Sequence, residues 1–121
     1  MAKMDRYGGN AKCIVAEPDI FSVPVDDQLD YILIGSDGIF DRISTEETCK
    51  IAIDEVRLQT ESMKIAGELV KGSFGHVSKV CGDAVDRVMT KAMEYESMDN
   101  LSVVIITFKN LTRFVENMEP Q

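Results

Sequence analysis

The strongest hydrophobic pattern in the chain is a β-branched, unbroken run from Leu101 to Phe108, set directly after the polar turn Ser97-Met98-Asp99-Asn100. A second run, Leu29 to Gly35, has apolar residues on both faces of its Ile32-Leu33-Ile34 centre, which predicts a strand sandwiched between two layers. Two weaker strands are predicted upstream. Cys13-Ile14-Val15-Ala16 is closed by a turn at Glu17-Pro18-Asp19, and Ile20 to Val25 alternates apolar and polar positions. Pro24 lacks an amide donor, so that second strand belongs at a sheet edge or ends there. The first dozen residues, ending in Tyr7-Gly8-Gly9-Asn10, read as a looped lead-in.

After Gly38 the apolar period changes from two to about three and a half. Ser44-Thr45-Glu46-Glu47 forms a capping box, and Cys49, Ala52, Ile53 and Val56 then recur on one helical face. Thr60 is expected to cap another helix running to about Val70 and stopped at Gly72, followed by a loop through His76. From about Val77 to Tyr95, positions 77, 81, 84, 85, 88, 92 and 95 make the apolar stripe of a long helix. From Thr112 the sequence is acidic and unpatterned, so residues 112–121 are expected to form a flexible tail. Three strands, three helices and a last strand predict an α+β fold, an antiparallel β-sheet with helices packed on one face. A chain of 121 residues suffices for a single domain, 1–121.

Composition narrows the class. With 45% hydrophobic and 28% charged residues, the chain is neither a disordered segment nor a rod. Its formal net charge of −8 disfavours nucleic acid and anionic membrane surfaces as partners. The apolar runs are too short to cross a bilayer and the N-terminus has no secretory core, so an intracellular protein, cytoplasmic or nuclear, is expected. Cys13, Cys49 and Cys81 lack metal or disulfide spacing and read as reduced, mostly buried thiols. Met89, Met93 and Met98 read as core filling.

The chemistry-bearing feature is acidic. Asp37 follows one apolar strand and Asp99 precedes another; if the two strands are antiparallel neighbours, the carboxylates meet at one end of the sheet. Such a pair calls for a hard cation or a shared proton. Asp41 reaches the same place if the chain turns sharply at Gly38. Asp-Gly and Asp-Asn are also ordinary turn dipeptides, and on spacing alone the turn reading outweighs metal ligation.

The segment Tyr31-Ile-Leu-Ile-Gly-Ser-Asp37-Gly38-Ile39-Phe40-Asp41 resembles the strand-and-turn motif of the metal-dependent PP2C-type serine/threonine protein phosphatases. Ala16-Glu17-Pro18-Asp19-Ile20 is similar to the family segment just upstream, and Ser97-Met-Asp99-Asn100-Leu-Ser-Val-Val-Ile-Ile-Thr-Phe108 to its last characteristic strand. The resemblance covers about Tyr7 to Phe108, in the family's order. It implies half of an αββα sandwich in which two Mn²⁺ or Mg²⁺ ions sit between the sheets. Asp37 and Asp99 would be ligands of that centre, and Asp41 would match a further, weaker metal position. The implied reaction is hydrolysis of phosphoserine or phosphothreonine in a protein substrate by a metal-bridging water, without a phosphoenzyme.

The departures are as informative. The amino-terminal half of the family domain carries a phosphate-binding arginine and an Asp-Gly-His-Gly-Gly motif, and this sequence contains neither. Arg6 stands in the wrong context, and His76, in Phe74-Gly75-His76-Val77, reads as a loop or helix-cap residue. The chain is therefore expected to be the carboxy-terminal half of the domain, a partial site with weak metal affinity and no activity alone. Loss of the partner sheet would leave an apolar face open to self-association. The alternative is a non-catalytic, pseudophosphatase-like interaction module that keeps the fold and works by binding.

Overall fold

A computed structural model of the chain describes residues 15–68 and 74–117. The elements run β1 (Tyr31–Gly35), α1 (Asp37–Phe40), α2 (Thr45–Ile65), α3 (Phe74–Glu94), β2 (Val103–Thr107) and α4 (Lys109–Asn117). The fold is α+β: β1 and β2 form an antiparallel two-stranded sheet, and the long helices lie against one of its faces. Among the described residues no helix is long and apolar enough to cross a membrane.

The two long helices carry their own start and stop signals. Ser44 Oγ accepts the Glu47 amide at 3.1 Å, which satisfies an orphan donor at the start of α2. At its end, Gly67 adopts φ +70°, Gly67 N donates to Lys64 O at 3.0 Å and Glu68 N to Met63 O at 2.9 Å, the paired closure that a left-handed glycine permits. This corrects the expectation of a helix break at Thr60. Thr60 is fully buried within α2 and its hydroxyl donates to Val56 O at 2.7 Å, so a residue that suits a cap is spent inside the helix instead. The expected stop at Gly72 lies outside the described residues.

Helix α3 begins three residues earlier than the apolar stripe suggests, at Phe74, so His76 lies in its first turn rather than in a loop. Its buried side chains are Val77, Val80, Ala84, Val88 and Ala92; Val80 joins the stripe, whereas Tyr95 lies beyond the helix end. Alanines 52, 84 and 92 are buried in the core that α2 and α3 share, where small side chains allow close helix approach. One half of that core gathers Val56, Met63, Val77, Val80, Ala84, Leu111 and Val115, and the other Ile39, Ile43, Ala52, Val88 and Ala92.

Four other expectations change. Residues 15–30 contain no strand; Ile20, Phe21, Val23 and Val25 are exposed, because an alternating segment becomes a strand only beside another strand, and none of the described residues places one there. Cys13 and Ile14 of the other upstream strand lie outside the described residues. Residues 112–117 belong to α4 and are not unpatterned: Leu111 and Val115, one turn apart, are both 1% exposed in the core, while residues 118–121 lie outside the described residues. Cys49 is exposed and Cys81 half-buried, its thiol pushed up by burial; Cys13 falls outside the described residues. Met93 and Met98 are exposed rather than core-filling.

The sheet is covered on one side only. Leu33, Val103 and Ile105 pack against the helical core, while Ile32, Ile34, Val104 and Ile106 point away from it and remain 40%, 53%, 53% and 44% exposed. The two-faced apolar pattern of these strands is thus met by a single layer among the described residues.

Replacing Leu111 with Ala is expected to cost about 2–5 kcal/mol, read as a lower urea midpoint, whereas an unpacked tail residue would leave the midpoint in place. Tyr31 provides a pH test. Its hydroxyl donates to Cys49 O at 3.1 Å, and its pKa is pushed from 10.0 up to about 12, first by burial and then by Cys49 and Asp30. The folded state holds this proton more tightly than the unfolded state, so the contribution is whole below pH 10 and is lost as pH rises through about 12. Ultraviolet titration should show a tyrosine ionising late, and Tyr31→Phe should remove that step.

Candidate functional site

The site is built where the sheet ends. The register closes at Gly35 opposite Val103, and one residue further Ser36 N donates to Ser102 O at 3.0 Å. The return bond goes to a side chain: Ser102 N donates to Ser36 Oγ at 3.1 Å, and that hydroxyl donates to Asn100 O at 3.2 Å. Ser97 Oγ donates to Gly38 O at 2.8 Å. These bonds tie the turn carrying Asp37 to the turn carrying Asp99.

Gly38 serves by having no side chain. A Cβ there would lie 2.5 Å from Asn100 O, so the two turns pack at a distance that only glycine allows. The sharp glycine turn expected between Asp37 and Asp41 is instead one turn of helix α1, with Asp41 N donating to Asp37 O at 2.8 Å. Residues four apart on a helix share a face, so Asp37 and Asp41 sit one above the other on the outer side. Ile39 and Ile43, at 0% and 1% exposure, anchor the inner side in the core.

The 97–102 turn is held just as firmly. Helix α3 closes with Ser97 N donating to Ala92 O at 3.1 Å and Glu96 N to Met93 O at 3.0 Å, which puts Glu96 at φ 58°. A left-handed conformation at a non-glycine residue costs about 1 kcal/mol and persists where its surroundings impose it. Asp99 Oδ1 then accepts the Asn100 amide at 2.8 Å, fixing the carboxylate's orientation and leaving its second oxygen outside that bond.

An open cleft of about 440 Å³ lies between the turns, lined by Gly38, Asp41, Arg42, Ser97, Met98 and Asp99. Asp41 and Asp99 therefore share a cleft. Asp37 is placed beside it through its neighbours' bonds and its helical pairing with Asp41, but does not line it. All three acids are exposed, so their charges remain hydrated. Among the described residues no three His, Cys, Asp or Glu side chains converge closely enough to hold an ion. Ser36, Ser97 and Arg42 were not singled out by sequence reasoning; the available signal was a pair of small hydroxyl residues flanking the two acidic turns.

The sequence model of the protein phosphatase 2C family matches residues 3–101, most of the chain and all three acids. The chain belongs to the protein phosphatase 2C family. Among its relatives, protein phosphatase 2C 50 of Oryza sativa subsp. japonica is 28% identical over 96 residues, covering 79% of this chain and 25% of that protein. Protein phosphatase 2C 77 of Arabidopsis thaliana is 27% identical over 105 residues, 84% of this chain and 25% of that protein. Protein phosphatase 1B of Mus musculus is 23% identical over 113 residues, 93% of this chain and 24% of that protein. The chain thus spans about a quarter of the length of these relatives. No solved structure matches it.

Replacing Gly38 with Ala is expected to push the two turns apart at a cost of about 1–3 kcal/mol. Thermal unfolding would read the loss, and amide resonances of Ser36 and Ser102 should shift while those of α2 stay in place.

Proposed function

We propose that this chain contributes the carboxy-terminal part of a metal-dependent phosphoserine/phosphothreonine protein phosphatase, with Asp37 and Asp99 as ligands of a Mn²⁺ or Mg²⁺ pair and Asp41 at a further cation position. The observation that carries the reading is the lacing of the Asp37 turn to the Asp99 turn by Ser36, Ser97 and the close approach at Gly38, inside a chain of the protein phosphatase 2C family. Exposed carboxylates are the donor type that hard cations take. Their number within the described residues falls short of a closed ligand shell, which fits a site that takes further ligands from elsewhere in the domain. When bound, such ions would draw charge from a phosphoryl group and make water a better nucleophile.

The bare sheet face points the same way. Ile32, Ile34, Val104 and Ile106 form an apolar surface suited to a second layer, which the remainder of the domain would supply. The described residues then lack both a full ligand set and cover for this face, and the isolated chain would be inactive and open to self-association.

Phosphopeptide hydrolysis with and without Mn²⁺ tests this, comparing the 121-residue chain with a longer protein that carries it. Turnover is expected only in the longer protein, falling at least about a hundredfold in Asp37→Ala and Asp99→Ala together with weaker Mn²⁺ binding. Robust Mn²⁺-dependent turnover by the short chain, abolished by Asp37→Ala, would sink the partial-site reading. No Mn²⁺-dependent phosphate release even from the longer protein would favour a non-catalytic interaction module, and manganese binding and turnover untouched by either substitution would make the two acids turn residues only.

A further inference from the structure

We propose that Arg42 is a phosphate-binding residue of this cleft, presenting its guanidinium to the oxygens of a phosphorylated side chain or of inorganic phosphate, an assignment that rests on the phosphatase reading above.

A phosphate dianion entering a cleft bounded by Asp41 and Asp99 meets two carboxylates on a chain of net charge −8. It needs a cation and hydrogen-bond donors there. Of the residues lining the cleft, Arg42 and Ser97 alone carry side-chain N–H or O–H donors, and the Ser97 hydroxyl is engaged with Gly38 O at 2.8 Å. Arg42 is left as the group that meets the need.

Arg42 is also uncommitted. Arg87 pairs with Glu94 and Arg113 with Asp27, but Arg42 makes no ion pair among the described residues, although Asp41 and Asp99 line the same cleft. Its backbone is fixed nonetheless: Arg42 N donates to Ile39 O at 3.1 Å and Ile43 N to Ile39 O at 3.0 Å, with both isoleucines buried. An exposed, permanently charged fork on a pinned helical turn can reorient toward a tetrahedral oxyanion without disturbing the fold. The spacing that sends Ile39 and Ile43 inward and Asp37 and Asp41 outward leaves position 42 beside the acids, where a cation offsets their repulsion of the substrate.

The test uses a longer protein that carries this chain. Inorganic phosphate and a non-hydrolysable phosphonate analogue of a phosphoserine peptide are titrated separately into wild type, Arg42→Ala and Arg42→Lys by calorimetry in the presence of Mn²⁺, with Mn²⁺ affinity measured alongside. Arg42→Ala is expected to weaken both phosphate ligands at least about tenfold. Arg42→Lys should fall between, keeping the charge but losing the fork, and Mn²⁺ affinity should hold or tighten. Unchanged phosphate binding in Arg42→Ala, or no phosphate binding by wild type, overturns the assignment. An Asp99→Asn arm separates the two claims. If Asp99→Asn weakens Mn²⁺ binding while Arg42→Ala leaves phosphate binding intact, Arg42 falls and the metal reading stands; the reverse pattern keeps Arg42 and removes the metal reading.

Discussion

The antiparallel pairing of β1 with β2 is the contact on which the other features depend, because it joins segments that lie at opposite ends of the described chain. Tyr31 meets Thr107 at one end of the ladder and Gly35 meets Val103 at the other. A two-stranded sheet is marginal by itself, so the pairing holds only because α2 and α3 cover one face with Val56, Val80, Val88 and the buried alanines. Helix and sheet thus require each other: the helices need an apolar floor, and the strands need a cover that excludes water from Leu33 and Ile105.

The same pairing sets the chemistry. Once Gly35 faces Val103, the residues just past the ladder must come together, and serines take over where the backbone ladder stops. Ser36 substitutes its hydroxyl for a carbonyl in accepting from Ser102, and donates onward to Asn100. The acids beside these bonds need no burial to be positioned. Their carboxylates stay in water while their backbones are fixed, an arrangement that keeps charge accessible at little desolvation cost.

The outer face of the sheet is the counterpart of this economy of cover. Its four exposed β-branched side chains carry the same apolar character as the covered face, and Ile20, Phe21, Val23 and Val25 are exposed as well. Local sequence therefore specifies more apolar surface than the described chain can bury. Membership of a family whose relatives are more than three times as long gives that surplus a physical setting, since the strands are patterned for two layers and the described residues provide one.

Much of the architecture was legible in the residues themselves. The β-branched runs at 31–35 and 103–107, the Ser44 capping box and the long apolar stripe of α3 are local signals, and local physics honours them. The pattern made the meeting of the acidic turns conditional on the two strands being antiparallel neighbours, and the register of β1 against β2 supplies that condition. Tertiary structure decided what depends on partners. Thr60 has the chemistry of a cap yet lies mid-helix because Val56 offers its carbonyl and the core accepts its methyl group; residues 112–117 look unpatterned until Leu111 and Val115 find the α2–α3 core. The alternating segment 20–25 stays open for want of a neighbouring strand among the described residues. At the site, the sequence named Asp37, Asp41 and Asp99, but only the packing of Gly38 against Asn100 showed that Asp41 and Asp99 share a cleft while Asp37 stands beside it, and that Arg42 stands at that cleft with no ion pair among the described residues. Propensity and periodicity act within a few residues and are written in the chain; close approach between turns is a property of two segments at once, and exists only when the fold brings them together.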